Sequence, residues 1–240
     1  MFKSLSVAVL AVVLTSCVVA GRYTGTSAGS DAAASAQGST QRLPGHQPSG
    51  ARRYRIDEHQ SELRVLVYRS GPLARLGHNH VIVNRALQGS VSLANEPTAS
   101  SFSLSIPVAA FLVDNAEARS QEGPEFPGEI PEDAKTGTLH NMLGTALLDA
   151  DEFPSIKVDS MAVTVGKSGW VASLVLAVVG HESRIEAPFT LTSDANRLSA
   201  TGSFDLRQSD IGLAPLSLML GALQVQDTVR VKFTLVAVAN

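Results

Sequence analysis

The chain has 240 residues, of which 44% are hydrophobic, and it carries a formal net charge of −3. This length allows one large domain or two small ones, with enough apolar residues for a sizeable core. The weak net charge and the lack of a basic cluster argue against a nucleic-acid-binding protein. Cys17 is the single cysteine, so no disulfide can form within the chain.

The first 17 residues have the features of an exported lipoprotein. Lys3 precedes an apolar run from Leu5 to Leu14, which has the length of a secretory signal and is too short to span a bilayer well. The segment Leu14-Thr15-Ser16-Cys17 resembles the lipobox of bacterial lipoproteins. That resemblance implies cleavage before Cys17 and acylation of its sulfur and its new amino group, and several acyl chains anchor a protein stably. We therefore expect a signal peptide at 1–16 and a periplasmic, membrane-anchored protein, with Val18 favouring the outer membrane over the inner.

Residues 17–50 are expected to be the lipidated cysteine followed by a flexible tether. Beyond the cysteine, Gly, Ser, Ala, Thr and Gln dominate this stretch, and no apolar period is present. A Gly-x-Ser-x-Gly pattern at 25–29 matches the nucleophile motif of serine hydrolases. That motif requires a strand before it and a helix after it, so we reject it here.

Residues 51–240 show the alternation of apolar and polar residues that is typical of β-strands. Leu63, Val65 and Val67 predict an early strand with Glu62 and Arg64 facing out. Residues 155–165 shift phase in the middle, which predicts a β-bulge near 159–160. Later apolar faces are predicted at Leu104 and Ile106, at Phe189 and Leu191, at Phe204 and Leu206, and at Val231 and Phe233.

One long polar excursion interrupts the strands at 114–143. It contains three prolines, and Pro131 followed by two acidic residues predicts a short helix over 131–143, closed by Gly144. About eight strands with one helix indicate a mainly all-β fold, a closed antiparallel barrel that leaves no exposed strand edge.

Several short motifs occur in an order that resembles one known family. They are Tyr54-Arg55-Ile56-Asp57, Phe153-Pro154-Ser155-Ile156, Val179-Gly180 before Pro188-Phe189, Gly202-Ser203-Phe204-Asp205-Leu206, and a last strand within 225–238. Together they resemble the YceI family of exported, lipocalin-like bacterial barrels. The form of 71–88, the long loop at 114–135 and Gln208, where several members carry arginine, depart from its pattern.

The resemblance implies a barrel whose apolar lumen holds a long isoprenoid-like amphiphile. If the barrel is hollow, the inward-facing strand residues line a lumen that suits an acyl or prenyl chain better than a flat aromatic cofactor. The alternative is a packed barrel with a purely structural role in the envelope, because an eight-stranded barrel can be filled by its own side chains. The predicted lumen residues are Leu104, Ile106, Phe189, Leu191, Phe204 and Phe233.

Histidines offer the other candidate site. His78 and His80 are two residues apart, so on a strand they would share a face and could contact a ligand head group at the mouth of the lumen. They could also hold a metal if His140 and His181 completed the set, although no third and fourth ligands are fixed by the sequence. If instead Val81 and Val83 form the buried face, both histidines lie in solvent.

No further motif supports catalysis, and the acidic residues Asp149, Asp151 and Glu152 fit a solvated turn. The leading hypothesis is therefore a non-enzymatic, membrane-tethered periplasmic barrel that binds an isoprenoid-like lipid, with no other cofactor. The alternatives are a metal-binding or redox-accessory protein and a structural envelope protein. The sequence leaves the ligand and the oligomeric state open.

Overall fold

In a computed structural model of the chain, residues 51–240 are described. The expected signal peptide, the lipidation site Cys17, the tether and the rejected Gly-x-Ser-x-Gly pattern lie outside the described residues. Within 51–240, no helix is both long enough and apolar enough to span a bilayer.

The described part of the chain consists mostly of strands, with two α-helices. The helices are α1 (Ala116–Ser120) and α2 (Glu132–Leu143). The strands are β1 (Arg52–Ile56), β2 (Glu62–Val67), β3 (Arg69–Ser70), β4 (His80–Asn84), β5 (Gln88–Leu93), β6 (Ser101–Pro107), β7 (Leu112–Val113), β8 (Ser155–Gly166), β9 (Gly169–Val178), β10 (His181–Ser193), β11 (Arg197–Arg207), β12 (Ser217–Leu218), β13 (Leu223–Val225) and β14 (Thr228–Ala239).

Eight antiparallel strands close into a barrel. Neighbours follow the order β1-β5-β6-β8-β9-β10-β11-β14, and β14 pairs back with β1. The alternation that we read from the sequence explains the closure, because each of these strands has one apolar face to bury and closure buries them all. The predicted closed barrel is confirmed.

The final strand also pairs with strands that extend the barrel wall. The start of β14 pairs with β2, which pairs with β4, and β4 pairs with β7. Both faces of β4 are buried, because Ile82 packs in the barrel core while Val81 and Val83 pack in a second cluster with Ala118 of α1 and Phe126. The polar excursion therefore covers the outside of the barrel and does not simply project into solvent.

The strand directions define two ends of the barrel. At the end called upper here lie the β9–β10 turn at Val179–Gly180, the β11–β14 connection and the start of β4. The β8–β9 and β10–β11 turns lie at the opposite, lower end. Val179 and Gly180 have φ of 48° and 71°, the left-handed pair that a tight hairpin turn requires.

The structure corrects several details of the sequence analysis. The predicted helix is present as α2, capped by Pro131 and Gly144, but α1 was not predicted. The bulge is present one residue later than predicted, between Ser160 and Ala162. It leaves Met161 52% exposed and returns Val163 to the inner face, with a relative exposure of 7%. Arg64, predicted to face out, is buried, because α1 and the segment after it cover it.

Candidate functional site: an apolar cavity inside the barrel

The barrel encloses a cavity of about 430 Å³. This is within the range of small-molecule sites, about 300–1,000 Å³. The inward faces of the strands supply an almost wholly apolar lining, and the structure is hollow where the alternative reading expected a packed barrel. All six predicted apolar lumen residues border it, namely Leu104, Ile106, Phe189, Leu191, Phe204 and Phe233.

Polar side chains on the cavity wall are few, and those with an imidazole or an amide group lie towards the upper end. His80 begins β4 there, and Gln208 follows β11. Asn141 and Thr138 come from α2. The lower part of the wall carries Trp170, the only tryptophan of the chain. A long molecule with one polar head would therefore match this wall with its head at the upper end.

His80 is held in place by a buried carboxylate. Its Nδ1 lies 2.7 Å from Oδ2 of Asp114, whose side chain has no exposed surface. Oδ1 of the same carboxylate accepts hydrogen bonds from the Val81 backbone N–H at 2.9 Å and from Nη1 of Arg119 at 2.8 Å. Asp114 was not predicted as a site residue, and it lies in a positive-φ conformation of 51° directly after β7.

The surroundings of Asp114 keep it ionised. Burial acts to raise the pKa of its carboxyl, but the hydrogen bonds from His80 and the Val81 N–H, with the charges of His80 and Arg119, outweigh burial and lower the pKa below its ordinary value. An ionised carboxylate can only accept hydrogen bonds, so Nδ1 of His80 carries the hydrogen. In the neutral imidazole, Nε2 is then an acceptor.

Arg119 connects this carboxylate to the covering loop. Its guanidinium donates to the carbonyls of Asn79 at 2.7 Å, Gly128 at 3.1 Å and Pro127 at 3.2 Å. It also lies over the ring of Phe126, 5.8 Å from its centroid. The excursion at 114–130 is therefore fixed to β4 through the group that orients His80.

A second ionic cluster fixes the same excursion to the barrel wall. Glu122 accepts from Arg64 at 2.6 Å and from Lys232 at 2.9 Å, and its own side chain is 4% exposed. Burial acts to raise the pKa of Glu122, but these two cations outweigh it and lower the pKa. The loop is thus joined to β2 and β14 as well as to β4.

The four predicted histidines do not form one site. His78 is exposed and precedes β4, so the expected pair on one strand is wrong, and only His80 borders the cavity. The His78 and His80 rings lie 6.3 Å apart, His140 is exposed on α2, and His181 lies beside Gly212. Among residues 51–240, no group of three or more His, Cys, Asp or Glu side chains could hold a metal ion, so the metal-binding alternative gains no support.

The cavity opens mainly at the upper end. Five of its lining residues are exposed: Ser101, Asn141, Ala146, Ala214 and Leu216. Ser101 lies at the lower end, where β6 begins. Ala214 and Leu216 lie in the β11–β14 connection, and Asn141 and Ala146 lie in and after α2, whose following segment leads into the upper end of β8. The mouth is therefore bordered by the β11–β14 connection on one side and by α2 on the other.

A closed barrel with an apolar, ligand-sized cavity defines a lipocalin-like class of protein. Residues 54–237 match the family model of the YceI-like domain, and the chain belongs to this family. Its fold is similar to that of BcnA from Burkholderia cenocepacia, with a TM-score of 0.55 at 14% identity over 75% of this chain and 98% of that one. It is also similar to a polyisoprenoid-binding domain from Saccharophagus degradans, with a TM-score of 0.51 at 16% identity over 78% and 98% of the two chains. Comparison with curated proteins found no match.

Proposed function

We propose that this protein binds and carries an isoprenoid-like amphiphile inside the barrel, as a binding protein and not as an enzyme. The observation that carries the proposal is the apolar cavity of about 430 Å³, open near its polar end. The family supports the same ligand class, because one structural neighbour is described as a polyisoprenoid-binding domain.

The apolar wall can supply enough free energy for tight binding. Burying each CH₂ group contributes roughly 0.8 kcal/mol, so a tail of about ten carbons gains on the order of 8 kcal/mol. Association itself costs an estimated ~4–15 kcal/mol. We therefore expect long tails to bind tightly and short ones, of about five carbons, to bind weakly.

The polar end of the cavity fits a hydroxyl head group. Within residues 51–240, neither Nε2 of His80 nor Oε1 of Gln208 takes part in a hydrogen bond, while the Gln208 amide nitrogen donates to the Gln226 carbonyl at 2.9 Å. Oε1 of Gln208 can only accept, whereas Nε2 of His80 accepts in the neutral ring and donates in the protonated ring. A hydroxyl both donates and accepts, so an alcohol or a phenol fits this end better than a fully ionised phosphate, which has no hydrogen to donate to Gln208.

The proposal includes placement in the periplasm, with the chain anchored to a membrane through lipidated Cys17. The motif Leu14-Thr15-Ser16-Cys17 supports this part of the proposal. Residues 18–50 would let the barrel move while it stays near the bilayer, with a reach on the order of 30 Å if they behave as a flexible coil.

Ligand binding can be tested with the emission of Trp170, which reports on the cavity directly. Delipidated chain is titrated with a polyprenyl alcohol, the hydrocarbon of the same length and the corresponding phosphate. We expect the alcohol to bind more tightly than the hydrocarbon by about fivefold, the contribution of one ordinary hydrogen bond. No change in Trp170 emission with any of the three ligands would contradict the proposal.

A pair of histidine variants separates the head-group contact from general effects. His80→Phe is expected to remove the preference for the alcohol and to keep the affinity for the hydrocarbon. His78→Phe is the matched control, because its ring is exposed and outside the cavity lining. An equal loss in both variants would show that His80 does not contact the head group.

A further inference from the structure

An exposed group of large apolar side chains lies at the upper end of the barrel. Strands β12 and β13 form a hairpin within the β11–β14 connection, and β13 pairs with β3. Leu220 at the turn of this hairpin is fully exposed, and Met219 is 68% exposed. We call this group the apolar tip, and its members are Leu76, Leu216, Leu218, Met219 and Leu220.

The backbone presents these side chains to the outside. Met219 and Leu220 have φ of 51° and 55°, a left-handed conformation that is uncommon for residues other than glycine. Such a conformation costs free energy and persists only where neighbouring structure fixes it. The end of this turn is held in place, because the Ala222 N–H donates to the Met219 carbonyl at 3.2 Å and the Ala222 carbonyl accepts from the Leu73 N–H at 2.8 Å.

The apolar tip is continuous with the cavity. Leu216 is 38% exposed and also borders the cavity, and Leu213 and Val225 of the same hairpin region border it too. Apolar surface therefore runs from the barrel wall to the turn at Leu220. At the lower end, the exposed lining residue is the polar Ser101.

The two segments that form the apolar tip carry charge of one sign. These segments, 69–77 and 213–226, contain Arg69 and Arg75 and no acidic residue. Arg69 donates to the Gly77 carbonyl, and Arg75 is exposed beside Leu76. Arginine next to exposed leucine and methionine matches a lipid surface that carries anionic head groups.

We propose that the apolar tip inserts into the surface of a lipid bilayer containing anionic lipids and places the cavity mouth against it, so that cargo passes between bilayer and barrel without crossing water. This inference rests on the proposed lipid cargo. A bilayer fits better than a second copy of the chain, because a stable protein interface takes about 20–30 residues a side and the tip has five such side chains.

Insertion can be measured at the tip itself, in the full chain reconstituted with vesicles. Leu220→Trp is compared with Val165→Trp. Val165 is 73% exposed and lies at the opposite, lower end of the barrel. Both are made in a Trp170→Phe background, so that the introduced indole is the only one. The vesicles contain phosphatidylcholine with brominated acyl chains, with or without phosphatidylglycerol, and bromine quenches an indole that enters the acyl region.

We expect the indole at 220 to lose about half of its emission, since interfacial apolar groups enter the bilayer by ~5–10 Å. The indole at 165 should keep its emission. Phosphatidylglycerol should strengthen quenching at 220 by tightening the binding of the chain to the vesicles. Arg75→Gln should reduce this increase in binding by about fivefold. No quenching at 220, or equal quenching at both positions, would overturn the inference, as would quenching that phosphatidylglycerol leaves unchanged.

A transfer assay links the tip to cargo and separates the two proposals. Leu220→Asp should slow uptake of a polyprenyl alcohol from vesicles by about tenfold while leaving its affinity in detergent unchanged. Equal uptake rates would overturn the tip inference and leave the cargo proposal standing. If no alcohol binds even in detergent, the cargo proposal fails and quenching at 220 alone decides the tip. Concentration-dependent dimers that Leu220→Asp abolishes would overturn the bilayer in favour of a second copy.

Discussion

Placing a carboxylate on the cavity wall tests whether the lumen is hollow in solution. Leu104 lies on β6, is 7% exposed and borders the cavity. In Leu104→Glu, the protein loses the burial of one leucine, about 1.5–3 kcal/mol. A cavity of about 430 Å³ has room for on the order of ten waters, at about 30 Å³ of liquid each. These waters can hydrate the carboxylate, so we expect a total loss of about 2–4 kcal/mol in the free energy of unfolding and a folded protein.

The matched control is Val83→Glu. Val83 is fully buried in the second cluster against α1 and does not border the cavity. Burial of this kind raises a pKa by up to about 3–5 units, so the carboxyl group must be protonated at neutral pH, which costs roughly 3.7 kcal/mol from an ordinary pKa of about 4.3. The larger side chain also overpacks the cluster at a further ~1–3 kcal/mol. Together these costs are a large part of the ~5–15 kcal/mol by which a domain is stable.

Urea unfolding followed by far-UV circular dichroism gives both free energies, and lipid extraction of the same samples reports cargo. Leu104→Glu should be folded and free of lipid, while Val83→Glu should be largely unfolded. If Leu104→Glu unfolds as completely as Val83→Glu, the lumen does not admit water and the hollow barrel is refuted.

Three further predictions concern the support of the site and the anchor. Asp114→Asn should lower the free energy of unfolding by about 3 kcal/mol at neutral pH, because it leaves Arg119 buried without its anion. Because the pKa of Asp114 is lowered in the folded state, its carboxylate stabilises the fold above the unfolded-state pKa, and this stabilisation is lost as pH falls through the folded-state pKa. The wild type should therefore lose stability in acid, and the variant should lose less. Parallel pH profiles of the two unfolding free energies would contradict this. Gly212→Ala should lower the free energy of unfolding by about 1–2 kcal/mol, since φ is 78° and the new Cβ would lie 2.9 Å from the His181 ring. Gly123→Ala is the control, because φ there is 81° and nothing lies within 4 Å of the new Cβ. It should lower the free energy of unfolding by less in the same urea titration. Cys17→Ala should move the chain from the detergent phase to the aqueous phase or leave an uncleaved precursor, and unchanged partitioning and processing would refute lipidation.

The alternation of apolar and polar residues predicted the barrel well because each wall strand buries one face only. The six apolar residues placed on inner faces all border the cavity. The helix at Glu132–Leu143 was also predictable, since proline before acidic residues and glycine at the end are local signals.

The covering excursion could not be predicted in the same way. Its contacts with the barrel join residues far apart in the chain, such as Arg64 with Glu122 and Lys232 with Glu122. Arg64 alternates like a solvent-facing residue and becomes buried only because this loop covers it. The same holds for Asp114, which acquires its role from His80 and Arg119 after folding.

The prediction of a histidine pair on one strand was wrong because the strand begins two positions too late to include His78. β4 begins at His80, so His78 belongs to the preceding loop, and the two side chains do not share a strand face. The alternative that Val81 and Val83 are buried is correct, yet His80 still borders the cavity, because the loop makes both faces of β4 interior.

Native mass spectrometry of the full chain, released from detergent in the gas phase, shows whether the barrel carries a long-chain lipid. We expect one bound amphiphile per chain, with a prenyl-type tail and a hydroxyl or phenol head, and no bound lipid in Leu104→Glu. A folded wild type that carries no lipid and acquires none from added polyprenyl alcohol would contradict it.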